Sequence, residues 1–183
     1  STITVAGATS NTFRIRVTLY DLYHDQPDNI DALLVGPNGA KYIVMGDVGG
    51  AIAVPVPPGP GVTLTYADYP NAVVPDAGPL ATGIFRPTSC EPVPAFPAPA
   101  PGTPYVEPGC VVARANNQTL FGNFGGVSAN GVWSLYIRDD NNLARPDEAN
   151  APNILRGEVR GGWGIELLAS TASGVEVSGR VTT

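Results

Sequence analysis

Asp21, His24, Asp25, Asp28, Asn29 and Asp31 crowd one short stretch, LYDLYHDQPDNIDALL. Oxygen donors this close repel one another unless water solvates them or a cation is shared between them. Ca²⁺ takes Asp, Asn and backbone carbonyl oxygens offered by loops. Zn²⁺ takes His and Cys, and the chain has one His and two Cys. Asp28, Asn29 and Asp31 are therefore one candidate cluster for Ca²⁺. Asp68 closes a later strand candidate, and Asp139 with Asp140 closes another. The EF-hand spacing is absent, and the alternative is a set of solvated loop caps in which Asp accepts backbone N–H groups.

Other chemistries find less to work with. A Ser-His-Asp triad needs a His, and His24 is the only one. No GxSxG elbow, HExxH pair, P-loop or GxGxxG in the required context is present. Two carboxylates can hydrolyse glycosides at a suitable separation, but nothing among the 16 acidic residues singles out a pair. The expectation is a non-enzyme. Lys41 is the only lysine. In an apolar core beside an Asn and a carboxylate it would permit an amide crosslink, although a strand Lys ordinarily points at solvent. Cys90 and Cys110 are an even pair with no CxxC and no neighbouring His, which points to one disulfide and an oxidising compartment. Two buried thiols are the alternative.

Composition narrows the partners. The net charge of −6 and the pI of about 4.6 argue against nucleic acid, which needs clustered Lys and Arg. An acidic surface suits divalent cations. No apolar run approaches the ~18 residues of a membrane span. The chain opens on Ser1 rather than Met, as a secreted product with its leader removed would.

The elements that must position these groups are strands. The 22 Gly and 19 Pro, with 43% hydrophobic residues, suit many short strands and turns. Residues 1–6 read as a short strand. In residues 12–22, Phe13, Ile15, Val17 and Leu19 alternate with Arg14, Arg16, Thr18 and Tyr20, the period of a half-buried strand. Residues 30–35 are nearly all apolar, as in a strand covered on both faces. Pro37-Asn38-Gly39 then turns the chain into a returning strand at 40–45. Residues 46–50 form a Gly-rich loop and 62–67 a further strand. From 70 to 109 little regular structure is expected. Eight prolines between Pro87 and Pro108 lower the unfolded-state entropy, so this long loop is expected to lie ordered on the sandwich. Residues 111–113 and 119–121 are short strand candidates. Longer strands follow in 124–140 and 162–167.

Several of these motifs resemble one family. HDQPDNIDALLVGPNG looks like the HxxPDDLDxLLVGPNG signature of P-domain-like β-sandwich modules, which follow the catalytic domain of kexin- and furin-type proteases. Such modules also occur without any protease in bacterial surface proteins. Residues 46–50 resemble that family's MSDxGG, with Gly46 where Ser is usual. LTYAD resembles LTFDD, with Ala67 in place of one carboxylate. GIFRPTSC and FPAPAP resemble its Pro-rich insertion. Asn130, Gly131, Trp133 and Asp139 fit NGxWxLxxxD, and residues 154–161 lead into 162–167, which look like the closing GxxxGWxLxI strand, with Gly164 where Ser or Thr is usual. The resemblance spans residues 1–169. It implies an all-β jelly-roll sandwich, P-domain-like or galactose-binding-like, with a long Pro-rich loop. It makes His24 part of the fold. It also implies that the strand ends bearing Asp28, Asn29, Asp31, Asp68, Asp139 and Asp140 converge on Ca²⁺.

Residues 170–183 stand apart from that domain. Val175, Val177 and Val181 resemble the first strand of a carboxypeptidase-regulatory-like module, with too few residues left to finish one. Such a strand packs back on its own sandwich or is donated to a neighbouring subunit or domain. The expected function is an extracellular, cell-surface structural module that is stabilised by calcium and one disulfide. It would assemble with copies of itself into a filament or layer, through Ile3, Val5, Val175, Val177 and Val181. The alternative is a carbohydrate- or protein-binding accessory module of a larger secreted protein, such as a subtilisin-like protease.

Overall fold

The computed structural model describes residues 1–9, 13–54, 59–111, 113, 115–140, 157–169 and 181–182. In chain order the strands are β1 (Thr2–Val5), β2 (Phe13–His24), β3 (Ile30–Val35), β4 (Lys41–Gly46), β5 (Val62–Ala67), β6 (Gly83–Phe85) and β7 (Thr88–Ser89). After a short helix α1 (Leu120–Phe124) come β8 (Gly131–Asp139), β9 (Gly157–Val159), β10 (Trp163–Ala169) and β11 (Val181–Thr182). They form two mixed sheets. One runs β1-β8-β3-β4-β7 and the other β11-β10-β2-β5-β6, with β9 beside the end of β2. The chain is thus all-β and sandwich-like, as the alternation of its strands leads one to expect.

The main core lies between the sheets. Ile15, Val17 and Leu19 of β2 and Leu64 and Tyr66 of β5 face Ile30, Ala32 and Leu34 of β3 and Trp133 of β8. Trp133 is fully buried, donates its indole N–H to Ala129 O at 3.0 Å and packs on Phe124 at 5.2 Å between ring centroids. Trp163 is buried too, so both tryptophans are core. The left-handed conformation of Asp21 (φ 54°) bends β2. Before it, β2 pairs with β10; after it, Leu22 to His24 pair with β9. Gly61 N–H and the Arg160 guanidinium, at 2.7 and 2.9 Å, hold the Asp21 carboxylate there.

Residues 87–110, called the strap below, cross the outer face of the first sheet. Val93 and Phe96 bury against Leu33 and Ile43, with Val35, Ala100, Tyr105 and Tyr136 around them. This second small core is why β3 is apolar on both faces. The strap is zipped onto β4 by Ile43 N–H to Val106 O and Val106 N–H to Lys41 O, both 2.9 Å. The Cys90–Cys110 disulfide closes its two ends.

Two strand expectations fail. Residues 119–121 are not a strand: the Thr119 hydroxyl accepts from Gly122 N–H at 2.9 Å and caps α1. Val111 and Ala113 lie in no strand. At the tail, Val181 and Thr182 pair antiparallel with Ile165 and Gly164 of the same chain. Val175 and Val177 lie outside the described residues.

Candidate metal centre

The acidic site is built on the β3–β4 hairpin. Inward residues of β3 are Ile30, Ala32 and Leu34, so alternation turns Asp31 to the outer face with Leu33. That face is roofed by the strap. Asp31 has no solvent exposure, and neither of its carboxyl oxygens has a hydrogen-bond partner. Across the hairpin lies Gly46. A Cβ there would stand 3.2 Å from Asp31 Oδ1 and 2.8 Å from both Ser89 Oγ and Val93 Cγ2. The bare Gly46 backbone is what lets carboxyl and strap meet.

Asp47 follows in the left-handed region (φ 48°), with Oδ2 buried and unpartnered. Asp140 comes from the end of β8, where its N–H donates to Asn29 O at 3.0 Å. Asp28 sits in the short 3₁₀ turn Pro27–Asn29, with its N–H on Gly50 O. Burial, then the charges of Asp47 and Asp140, push the Asp31 carboxyl up to about 8. Burial, then Asp140 and Glu91, push Asp47 up to about 6. Asp28 is raised by burial and by Asp76. Arg138 acts the other way on Asp31, whereas Glu107 of the strap adds to the repulsion on both Asp31 and Asp47.

Of the six residues expected at the cation, the structure brings together Asp28, Asp31 and Asp140. Asn29 turns its side-chain amide to Gln26 Oε1 at 3.0 Å. The Asp68 oxygens accept from Leu120 and Phe121 N–H at 2.9 and 2.8 Å, so this carboxylate caps α1. Asp139 pairs with the buried His24 at 3.1 Å. That pair borders a separate cleft of about 370 Å³, floored by Leu22, Ile30, Ile137 and Val159. Asp47 is the residue sequence reasoning missed. The signal was an acid inside a Gly-rich loop directly after the strand that pairs with Asp31.

All donors at this site are oxygens, which fits Ca²⁺ and not Zn²⁺. Their spacing is open. Among the described residues, the set of three ligand atoms lying within 4.8 Å of one another is Asp76 with Cys90 and Cys110, and those sulfurs are bonded to each other. Oxygens on opposite sides of a bound Ca²⁺ lie about 4.8 Å apart, so a cation would have to draw the carboxylates inward.

The other expected residues are placed as follows. Ile3 is buried in the main core and Val5 packs partly against it, so at β1 it is the strand edge that remains for a partner. Lys41 donates to Gly102 O and lies over the Tyr105 ring, occupied by the strap. Compared with family models, curated proteins and solved structures, the chain matches none of them significantly.

Proposed function

We propose that this chain is a non-enzymatic, extracellular structural module that binds calcium and assembles with copies of itself or with flanking modules. The observation that carries the calcium reading is Asp31, a carboxyl with no solvent exposure and no partner on either oxygen, beside Asp47 with a buried unpartnered oxygen of its own. A buried ionised carboxylate is tolerated when a cation or a proton compensates it. Asp31, Asp47, Asp140 and Asp28 would hold the ion, which neutralises their mutual repulsion and ties β3, β4 and β8 together. The disulfide and a calcium site of loop carboxylates both suit an extracellular setting, oxidising and rich in calcium.

Assembly would proceed by strand addition. β1 ends one sheet, and β10 is covered on its outer side by β11 at only Gly164 and Ile165 among the described residues. Those edges can accept a strand, and the tail can supply one. A jelly-roll connectivity and kinship with P-domain-like modules belong to this same proposal. The cleft beside His24 and Asp139 favours a second reading, a carbohydrate- or protein-binding accessory module.

Sedimentation velocity in calcium and after chelation tests the structural reading. A large species in calcium that dissociates on chelation supports it. A monomer in both conditions refutes assembly and leaves the accessory-module reading.

A further inference from the structure

On the outer face of the sheet the strap packs beside the buried Asp31. The strap's Ser89 and Val93 press on the same Gly46 surface that Asp31 Oδ1 approaches. Val93 N–H donates to Glu107 Oε1 at 3.3 Å, and the Ser89 hydroxyl donates to Glu91 O at 3.1 Å. Both strap glutamates thus stand by the roof of a site that already holds several carboxylates, and Glu107 repels Asp31 and Asp47 while Glu91 repels Asp47. Docking the strap therefore carries two electrostatic costs at neutral pH. It strips water from the Asp31 carboxyl, which must then stay charged without solvent or take up a proton, and it brings two further negative charges towards the site.

We propose that a divalent cation on Asp31 is the lock of the Pro-rich strap: with calcium bound, residues 87–110 lie on the sheet, and without it they lift from Leu33 and Ile43 while the rest of the sandwich stays folded. This rests on the calcium reading above and adds a regulated element to it. Thr88 and Ser89 pair with β4, Cys90 N–H donates to Gly46 O, and the disulfide ties Cys110 to that anchored end, so the movement belongs to the residues between Cys90 and Cys110. Lifting uncovers Val93, Phe96, Leu33 and Ile43, an apolar surface hidden in the loaded protein.

Hydrogen–deuterium exchange of the full chain at pH 7.5, in millimolar calcium and in chelator, tests the lock, with calorimetric calcium titration run alongside. Chelation is expected to speed exchange at least tenfold at Ile43 and Val106, whose N–H groups bond across the strap–sheet contact to Val106 O and Lys41 O. Amides of β2 and β5 should change less than twofold. In Asp31→Asn the neutral amide removes the charge that docking must bury, so the strap should stay protected with or without calcium. Calcium binding with unchanged strap exchange overturns the lock and leaves the calcium reading standing. Absence of any calcium heat overturns both. An Asp31→Asn strap that exchanges as fast as the chelated parent also overturns the lock, because the charge would then not be what lifts it.

Discussion

Calcium affinity should depend steeply on pH, and the slope can be worked from two side chains. With the strap docked and no ion bound, burial and neighbouring carboxylates raise Asp31 from 3.8 to about 8 and Asp47 from 3.8 to about 6. A raised acid holds its proton in the folded state after the unfolded chain has released it. The contribution of these two acids to the stability of that calcium-free form is fully present below about pH 4 and is lost as pH rises towards 8. Between pH 5 and 7 the folded state keeps close to one extra proton on Asp31, worth about 1.4 kcal/mol per pH unit, or roughly 3 kcal/mol over the interval. For a domain of this size that is a fall in Tm of about 6–12 °C. Calcium must displace the same protons. From pH 8 to 6 one proton leaves per ion, so Kd should weaken about tenfold per unit; below pH 6 the second, from Asp47, steepens the slope towards about a hundredfold per unit. Titration calorimetry at pH 5.5, 6.5 and 7.5, in buffers of different ionisation enthalpy, measures both Kd and proton release. About one proton per ion near pH 7 is expected. A Kd independent of pH with no proton release would refute the reasoning, since Asp31 would then be ionised beneath the strap without help.

Three further outcomes follow from the same geometry. Replacing Cys90 and Cys110 together by Ser opens a loop with a sequence separation of 20 and should cost about 3 kcal/mol in urea unfolding; no loss would mean the strap is held by packing alone. Asp68→Ala should lower stability by about 1 kcal/mol through the lost cap on α1 while leaving calcium affinity unchanged, and a tenfold loss of affinity would return Asp68 to the ligand set. Trp133→Ala, at a side chain with no exposure, should cost about 3–5 kcal/mol by cavity formation, read from the shift of the denaturant midpoint at constant m-value.

The strands were legible wherever side-chain alternation carries the fold. Residues 30–35 and 62–67 form strands over the whole expected range, and both tryptophans are core. The order of the strands within the sheets was not legible, because pairing such as β2 with β10 joins residues far apart in the sequence. The helix at Leu120–Phe124 escaped because its sequence LFGNF has no length for a periodic stripe. What makes it helical is local, the Thr119 cap and Asp68 brought in from another loop. The acidic site was half legible. Composition and loop position marked Asp28, Asp31 and Asp140 but could not separate them from Asp68 and Asp139, whose oxygens serve a helix and a histidine. Asp47 needed the hairpin register. Counting back from the Pro-Asn-Gly turn pairs Val35 with Lys41 and Leu33 with Ile43, but an irregularity then places Ala32 opposite Met45, so Asp31 meets Gly46 and Asp47 one residue later than regular pairing would put them.

A hydrophobic residue at position 31 would continue the outer apolar row of Leu33 and Val35 and let the strap dock without any ion. The magnitudes explain what an acid does there instead. Burying Val93 and Phe96 contributes about 1.5–3 kcal/mol each, while desolvating an ionised carboxylate without a partner costs several kcal/mol. The two nearly cancel, which leaves the strap close to balance when Asp31 is charged and alone. A shift of a few kcal/mol then decides the matter, and an ion present at a hundred times its Kd supplies about 2.7 kcal/mol. Near-cancellation makes docking responsive to calcium over the concentrations around Kd, whereas Leu at this position would hold the strap down at every concentration. Such a variant, Asp31→Leu, should be more stable than the parent in chelator and indifferent to added calcium in a thermal melt. A Tm below that of the chelated parent would show that the pocket under the strap is shaped for the carboxylate itself and that the balance described here is wrong.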